Sequence, residues 1–192
     1  MKNVVFIVPP ELFRDEELFR PMEILNKSGI HTEIASTAVK TITGMKGVPV
    51  TSSRKINQID PEDYEMFVVI GGSGTQTHLW RHQPLLDLLS RADKAGKLIA
   101  GICAGSVVLA HAGLLNHKNA TTFAAVNFIN ELKNSGAVYT QNEVEVSGNI
   151  ITGSGPDAAK EFGKALVYAL GNKKDYTHES ISIPLHSPFD DI

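Results

Sequence analysis

The sequence of 192 residues contains a single cysteine, Cys103. One cysteine cannot form a disulfide within the chain, which argues against a secreted domain held together by disulfides and favours a reducing compartment. No apolar stretch approaches the roughly 20 residues that a membrane-spanning helix needs. The apolar run at residues 4–8 is too short for a signal peptide and ends at Pro9-Pro10. We therefore predict a cytoplasmic protein that has no membrane partner.

An excess of positive charge is also missing, because the net charge is -3 with 18 lysines and arginines and 21 acidic residues. A protein that binds nucleic acid or an acidic membrane is expected to present a basic surface, and the basic residues here are scattered. A chain of this length can bury about 70% of its unfolded surface in one core. Neither a structural metal nor a cofactor is predicted, and the expected partner is a small-molecule substrate.

Short aliphatic runs alternate with amphipathic segments along the chain, a pattern typical of a parallel sheet covered by helices on both faces. Asp15 is a candidate cap for the first helix, and Gly171 for the end of the last. The segment 41–57 is interpreted as an excursion with short β-type stretches. Strands are predicted at 4–8, 32–35, 66–70, 98–102 and in a hairpin over 143–152, and helices at 15–27, 83–95, 105–112, 127–134 and 156–170.

Two parts of the chain are distinguished, a domain over residues 1–171 and a polar tail over 172–192. The alternation Ile181-Ser182-Ile183 in the tail is consistent with an edge strand or with a subunit contact. We interpret the tail as serving structure or packing rather than chemistry.

Cys103 lies where a predicted strand turns into a predicted helix, in the pattern Gly101-x-Cys103-x-Gly105. This arrangement is typical of a nucleophile elbow, in which the nucleophile adopts a strained backbone and the flanking glycines avoid a collision between strand and helix. The sulfur then lies above a helix N-terminus, which favours a thiolate near neutral pH, and the N–H of Ala104 can stabilise an oxyanion. The alternative is a buried structural cysteine.

A second glycine-rich turn, Gly71-Gly72-Ser73-Gly74, follows the predicted strand at 66–70. Such turns often do no more than end a strand, and this one has neither the Gly-Lys-Ser/Thr ending of a P-loop nor the spacing of a dinucleotide fingerprint. Next to an elbow, the backbone N–H of Gly72 is a candidate second donor to an oxyanion.

Four segments together resemble the ThiJ/PfpI superfamily, which includes cysteine peptidases, glyoxalases and isocyanide hydratases. They are 14–21 (RDEELFRP), 68–72 (VVIGG), 98–109 (LIAGICAGSVVL) and 153–156 (GSGP). The resemblance covers residues 2 to 171. It implies a flavodoxin-like three-layer α/β sandwich, a homodimer, Cys103 as the reactive thiol and Glu17 as a carboxyl that reaches the sulfur. A protonated Glu17 that donates to a thiolate, with a raised pKa, is the expected state of this pair.

The sequence departs from the family pattern where many catalytic members carry a histidine. Ala104 directly follows the cysteine, and Phe123 occupies the last position of a Thr-Thr-His arrangement. A complete Cys-His-acid triad is therefore not visible, which argues against a peptidase. Amidotransferases share the elbow but need a His-x-Glu motif near the C-terminus, where this chain has only His178-Glu179.

Other histidines are candidates for the missing proton carrier. His78 and His82 follow the glycine turn and are possible accessory residues, although surface or packing roles are more frequent for such residues. His111 lies eight residues beyond Cys103, too far along the helix to reach the thiol. His178 and His186 reach it only if the tail folds back or crosses to a second subunit.

Three functional hypotheses remain open. The first is an enzyme of the hydratase, glyoxalase, deglycase or hydrolase type, in which Cys103 attacks a small electrophile and Glu17 handles the proton. The second is a redox sensor or stress-protective protein whose Cys103 oxidises to a sulfinic acid. The third, a purely structural domain, is disfavoured by the strain that an elbow requires.

Overall fold

The computed structural model describes residues 2–172, so the predictions for the tail, including those for His178, Ile181 and His186, lie outside the described residues. Strands and helices alternate as the hydrophobic pattern predicts. In chain order they are β1 (Asn3–Ile7), α1 (Asp15–Lys27), β2 (His31–Ser36), β3 (Thr41–Thr43), β4 (Pro49–Thr51), β5 (Arg54–Lys55), β6 (Met66–Val69), α2 (Ser73–His78), α3 (Gln83–Lys94), β7 (Leu98–Ile102), α4 (Ala104–His111), β8 (Asn119–Ala120), α5 (Val126–Asn134), β9 (Val138–Tyr139), β10 (Val144–Ser147), β11 (Ile150–Gly153) and α6 (Ala159–Gly171).

Seven strands form the central sheet in the order β10-β11-β7-β6-β1-β2-β5. All neighbours are parallel except β10 and β11, which form the antiparallel hairpin predicted at one edge. The central strands β1, β6 and β7 are buried along nearly their whole length, because helices cover both faces of a parallel sheet. This confirms the predicted flavodoxin-like α/β sandwich.

The helix α1 carries three consecutive acidic residues in its first turn and packs against α6. Gly163 allows the close approach, because a Cβ at this position would lie 3.0 Å from Pro21 Cα and 2.8 Å from Ile24 Cδ1. This packing holds the N-terminal turn of α1, with its three acidic residues, in a defined place at the carboxyl end of the sheet.

One local expectation is wrong. Asp15 does not cap α1: Arg14 is the N-cap residue, and the Asp15 carboxylate instead accepts a hydrogen bond from Lys46 N at 2.9 Å. The segment 41–57 contains a small two-stranded sheet, β3 with β4, whose turn carries Lys46. Asp15 and Lys46 are distant in the sequence, and local helix signals cannot reveal a contact of this kind.

Candidate active site

Cys103 occupies the turn between β7 and α4 with φ 57° and ψ -122°, a left-handed conformation that side chains rarely adopt. Both flanking glycines are needed for this turn. A Cβ on Gly101 would lie 2.8 Å from the carbonyl oxygen of Gly105, and a Cβ on Gly105 would overlap the carbonyl oxygen of Val69. The backbone geometry of the predicted elbow is therefore present.

Replacing Gly105 by alanine is expected to destabilise the fold by about 3 kcal/mol or more, because the new methyl group meets rigid backbone of β6. Urea denaturation of the Gly105→Ala variant measures the loss. The matched control is Gly171→Ala at the end of α6, where a Cβ meets nothing within 4 Å, and this change is expected to be neutral or stabilising by up to about 1 kcal/mol. Equal stabilities of the two variants would contradict the steric argument.

The glycine turn after β6 lies directly against the elbow. A Cβ on Gly71 would lie 2.8 Å from Cys103 Cβ and 2.9 Å from Ala104 N, so only glycine fits there. The backbone N–H groups of Gly72 and Ala104 both donate hydrogen bonds to the Cys103 sulfur. The two backbone donors that the sequence analysis selected therefore converge on the thiol.

Glu17 is fully buried in the first turn of α1 and shares a hydrogen bond with the Cys103 thiol. Its Oε2 accepts the N–H of Gly71 at 2.9 Å, whereas its Oε1 has no nitrogen or oxygen partner within residues 2–172. Because Oε2 is an acceptor in this arrangement, the proton of a neutral carboxyl belongs on Oε1. Of three consecutive acids in the sequence, Glu17 is the one that meets the sulfur.

Burial governs the protonation of this pair. Loss of solvation raises the pKa of Glu17 from 4.5 to about 8, so its carboxyl is neutral at pH 7. Burial also raises the pKa of the Cys103 thiol, and the charge of an ionised Glu17 raises that pKa further, while the N–H groups of Ala104 and Gly72 lower it. The expected thiolate rested on the helix N-terminus and the N–H groups, and burial of the sulfur, which no local pattern indicates, outweighs both.

A pocket of about 310 Å³ opens onto Cys103 and Glu17, within the size range of small-molecule sites. Arg14 and Gln76 supply polar groups to its wall. Its apolar residues are Met45, Phe123, Phe128 and Pro156. The pocket therefore suits a small and partly apolar ligand.

Three further side chains hold the elbow, and the sequence analysis did not identify their roles. Thr122 Oγ1 donates to the carbonyl oxygen of Cys103 at 2.7 Å, and Trp80 Nε1 donates to that of Ala104 at 2.9 Å. Ser106 Oγ, in the first turn of α4, donates to the carbonyl oxygen of Gly101 at 3.0 Å. An indole N–H that is removed from water needs an acceptor, but the sequence does not indicate which group accepts from Trp80.

The accessory histidines contact other groups. His78 Nε2 lies 2.9 Å from Glu11 Oε1, and His82 Nδ1 accepts the N–H of Leu85 at the start of α3. Neither lines the pocket at Cys103, so their accessory role stays a prediction without a supporting contact. His111 bonds to Trp80 and to Glu131, in agreement with its expected distance from the thiol.

Within residues 2–172, no three His, Cys, Asp or Glu side chains are grouped so that they could hold a metal ion. None of the helices in the same range has the length and apolar character to cross a membrane.

Comparison with known proteins places these features in a family. The sequence model of the DJ-1/PfpI family matches residues 2–169. An uncharacterized protein of Methanocaldococcus jannaschii is 38% identical over 88% of this chain and 84% of its own length. A deglycase of Thermococcus kodakarensis is 27% identical over 79% of this chain and 90% of its own. The corresponding values for a glutathione-independent glyoxalase of Caenorhabditis elegans are 24%, 88% and 89%.

Solved structures agree with this assignment of the fold. The crystal structure of a ThiJ/PfpI domain protein from Brachyspira murdochii superposes with a TM-score of 0.85 at 29% identity, covering 88% of this chain and 96% of that one.

Proposed function

The chain belongs to the DJ-1/PfpI family, and on that premise we propose that it is an enzyme in which Cys103 attacks a small electrophile and water later releases the product. The reaction class is that of a hydratase, glyoxalase or deglycase. One observation carries the proposal: the only cysteine lies at a strained elbow, in hydrogen-bond contact with a buried, neutral carboxyl and beside a pocket of small-molecule size. Relatives named deglycase and glyoxalase support the same class.

The first step is addition of the thiol across the electrophilic bond of the substrate. The sulfur forms a bond to carbon, the carbonyl π bond breaks, and the developing charge on oxygen meets the N–H groups of Gly72 and Ala104. Glu17 donates the proton on Oε1 to that oxygen and takes the thiol proton on its other oxygen. The carboxyl thus ends the step neutral, and no external acid or base is consumed.

The second step replaces sulfur by water. Water attacks the carbon bound to Cys103, its proton passes through Glu17, and the carbon–sulfur bond breaks to restore the thiol.

An activated carbonyl compound expels its leaving group from the first adduct, and water then hydrolyses the thioester. A 2-oxoaldehyde needs one transfer before water attacks: Glu17 takes the proton from the carbon bound to sulfur and a proton is returned to the neighbouring carbon, whose carbonyl oxygen becomes a hydroxyl, so that the hemithioacetal becomes the thioester of a 2-hydroxy acid. An isocyanide takes both the sulfur and the thiol proton on its terminal carbon, and attack of water on the resulting thioimidate releases a formamide. Amide hydrolysis fits less well, because an amine leaving group needs a strong proton donor and no histidine lines the described pocket.

Turnover measured across a panel of methylglyoxal and several isocyanides tests the proposal. The expected result is conversion of at least one member to the 2-hydroxy acid or the formamide. If no member of the panel is converted, the proposed enzymatic function is contradicted.

A second candidate, a thiol-based redox sensor, is favoured by the same neutral carboxyl, because a protonated Glu17 can donate a hydrogen bond to a sulfinate on Cys103. Mild peroxide is then expected to add two oxygens, about 32 Da, at Cys103 alone. Intact-mass analysis followed by peptide mapping measures this. The Cys103→Ala variant is the control, and oxidation confined to the methionines, such as the half-exposed Met45, would count against this function.

A further inference from the structure

We propose that the pocket at Cys103 selects electrophiles that carry a planar apolar group, and that Phe123 is the residue that contacts this group. The inference deepens the proposed function, on which it rests, by naming the substrate class of the same site. Phe123 occupies the position at which the resemblance led us to expect a histidine. Its ring lines the pocket together with Cys103, so the residue contributes apolar surface where a proton carrier was expected.

The ring of Phe123 is supported on one side and open on the other. A Cβ on Gly155 would lie 3.3 Å from Phe123 Cδ2, so the ring packs against the backbone after β11. Nevertheless, 47% of the residue is exposed, a large fraction for a phenyl ring beside a buried reactive group. An apolar substituent of a bound ligand would remove this surface from water, and an edge-to-face or offset-stacked ring would add a specific contact.

The aromatic residues next to Phe123 form a continuous wall. The rings of Phe123 and Phe128 are 6.1 Å apart at 65°, and those of Phe128 and Trp80 are 5.1 Å apart at 71°, both in edge-to-face geometry. Trp80 Nε1 in turn donates to the carbonyl oxygen of Ala104, the residue after the nucleophile. The wall is therefore tied to the elbow itself.

A second set of contacts fixes the helix that carries Phe128. His111, at the end of α4, lies with Nδ1 2.7 Å from the carbonyl oxygen of Trp80 and with Nε2 2.8 Å from Glu131 Oε2. Glu131 and Phe128 are three residues apart on α5 and so lie on the same side of the helix. Because α4, α5 and Trp80 are joined in this way, the wall exists before a ligand binds, which favours selectivity for shape.

The test uses Cys103 as its own reporter, because the chain contains no other thiol. Maleimides react by addition: sulfur bonds to one alkene carbon and the other carbon takes a proton. Second-order rates are measured by intact mass for N-phenylmaleimide and N-methylmaleimide, and their ratio is compared with that of N-acetylcysteine. The wild-type ratio is expected to exceed that of the free thiol by about three- to tenfold, the range that one aromatic contact provides.

The Phe123→Ala variant is expected to lose this preference, with a ratio close to that of N-acetylcysteine. Phe123→Leu, which stays apolar without being planar, should give an intermediate ratio. Val126→Ala is the matched control, because Val126 is 75% exposed, lies three residues away and does not line the pocket. An unchanged ratio in folded Phe123→Ala would overturn the proposal. The proposal would also be overturned if Phe123→Ala changed the sedimentation coefficient of the protein but not the maleimide ratio. Phe123 would then be covered by a second copy of the chain and would not contact the ligand.

Turnover separates this inference from the proposed function. If phenylglyoxal and methylglyoxal are both converted, Phe123→Ala should lower the kcat/KM for phenylglyoxal relative to that for methylglyoxal. An unchanged ratio of the two kcat/KM values would overturn this inference and leave the proposed function intact. If neither is converted while the maleimide preference is present and depends on Phe123, the proposed function fails and the selective pocket is supported.

Discussion

Replacement of Cys103 by alanine or serine is expected to lower kcat/KM by about 10³-fold or more for every substrate that the wild-type protein converts. The sulfur is the atom that bonds to the substrate, and no other thiol exists in the chain. A serine hydroxyl is far less acidic than a thiol, so a carboxyl is too weak a base to activate it. Steady-state assays with methylglyoxal and isocyanides measure the effect.

The fold of these variants should remain intact, because alanine and serine keep the Cβ atom of Cys103 and its backbone hydrogen bond to Gly153 at 2.9 Å. Thermal unfolding monitored by circular dichroism provides the control. Equal turnover by the wild type and by folded Cys103→Ala would exclude Cys103 as the nucleophile.

Replacement of Glu17 by glutamine is expected to remove most of the pH dependence of stability between pH 5 and pH 8. In the wild type, the pKa of this carboxyl rises from 4.5 in the unfolded chain to about 8 on folding, so the folded state holds the proton more tightly. The stabilisation is complete below pH 4.5 and is lost as the pH rises through 8, by up to roughly 5 kcal/mol. Urea denaturation at a series of pH values measures it.

The control for Glu17→Gln is the same titration of unfolding free energy with Glu143→Gln, a change at an exposed carboxyl, which should keep the wild-type profile. A parallel pH profile for the wild type and Glu17→Gln would show that Glu17 ionises normally in the folded protein.

Reactivity of Cys103 provides an independent readout in the Glu17→Gln variant. A neutral amide cannot develop the negative charge that raises the pKa of the thiol, so alkylation above pH 8 should accelerate relative to the wild type. Turnover should fall at the same time, because glutamine cannot transfer a proton. A variant that lost both alkylation and turnover would indicate a damaged site instead of a missing proton carrier.

Local signals in the sequence predicted the sheet, the helices and the elbow because each depends on residues that are neighbours in the chain. Aliphatic runs at β1, β6 and β7 reflect burial on both faces of the sheet. The glycines two positions before and after Cys103 are needed because a Cβ on Gly101 would collide with the backbone of Gly105, and a Cβ on Gly105 with the adjacent strand β6. The choice of Glu17 among three consecutive acids came from the family resemblance, and the local pattern favours none of the three.

The partners of the elbow could not be predicted in this way. Thr122, Trp80 and the turn that holds Lys46 reach their contacts across 19 to 31 positions of the chain. Such contacts depend on the order of strands in the sheet and on which helix faces which, and many side chains could satisfy the same carbonyl group. The same limit explains why two accessory histidines were selected that do not line the pocket.

The sequence by itself therefore determined the α/β sandwich, the family and the position of the lone cysteine in a strained turn, because backbone sterics and hydrophobic periodicity are local properties. Only the tertiary structure decided the environment of that cysteine. It buried Glu17 beside the sulfur, directed the N–H groups of Gly72 and Ala104 toward it, and placed Phe123 in the wall of the pocket. Desolvation depends on everything that surrounds a group, so the protonation of Cys103 and Glu17 follows from the packed structure and not from the motif.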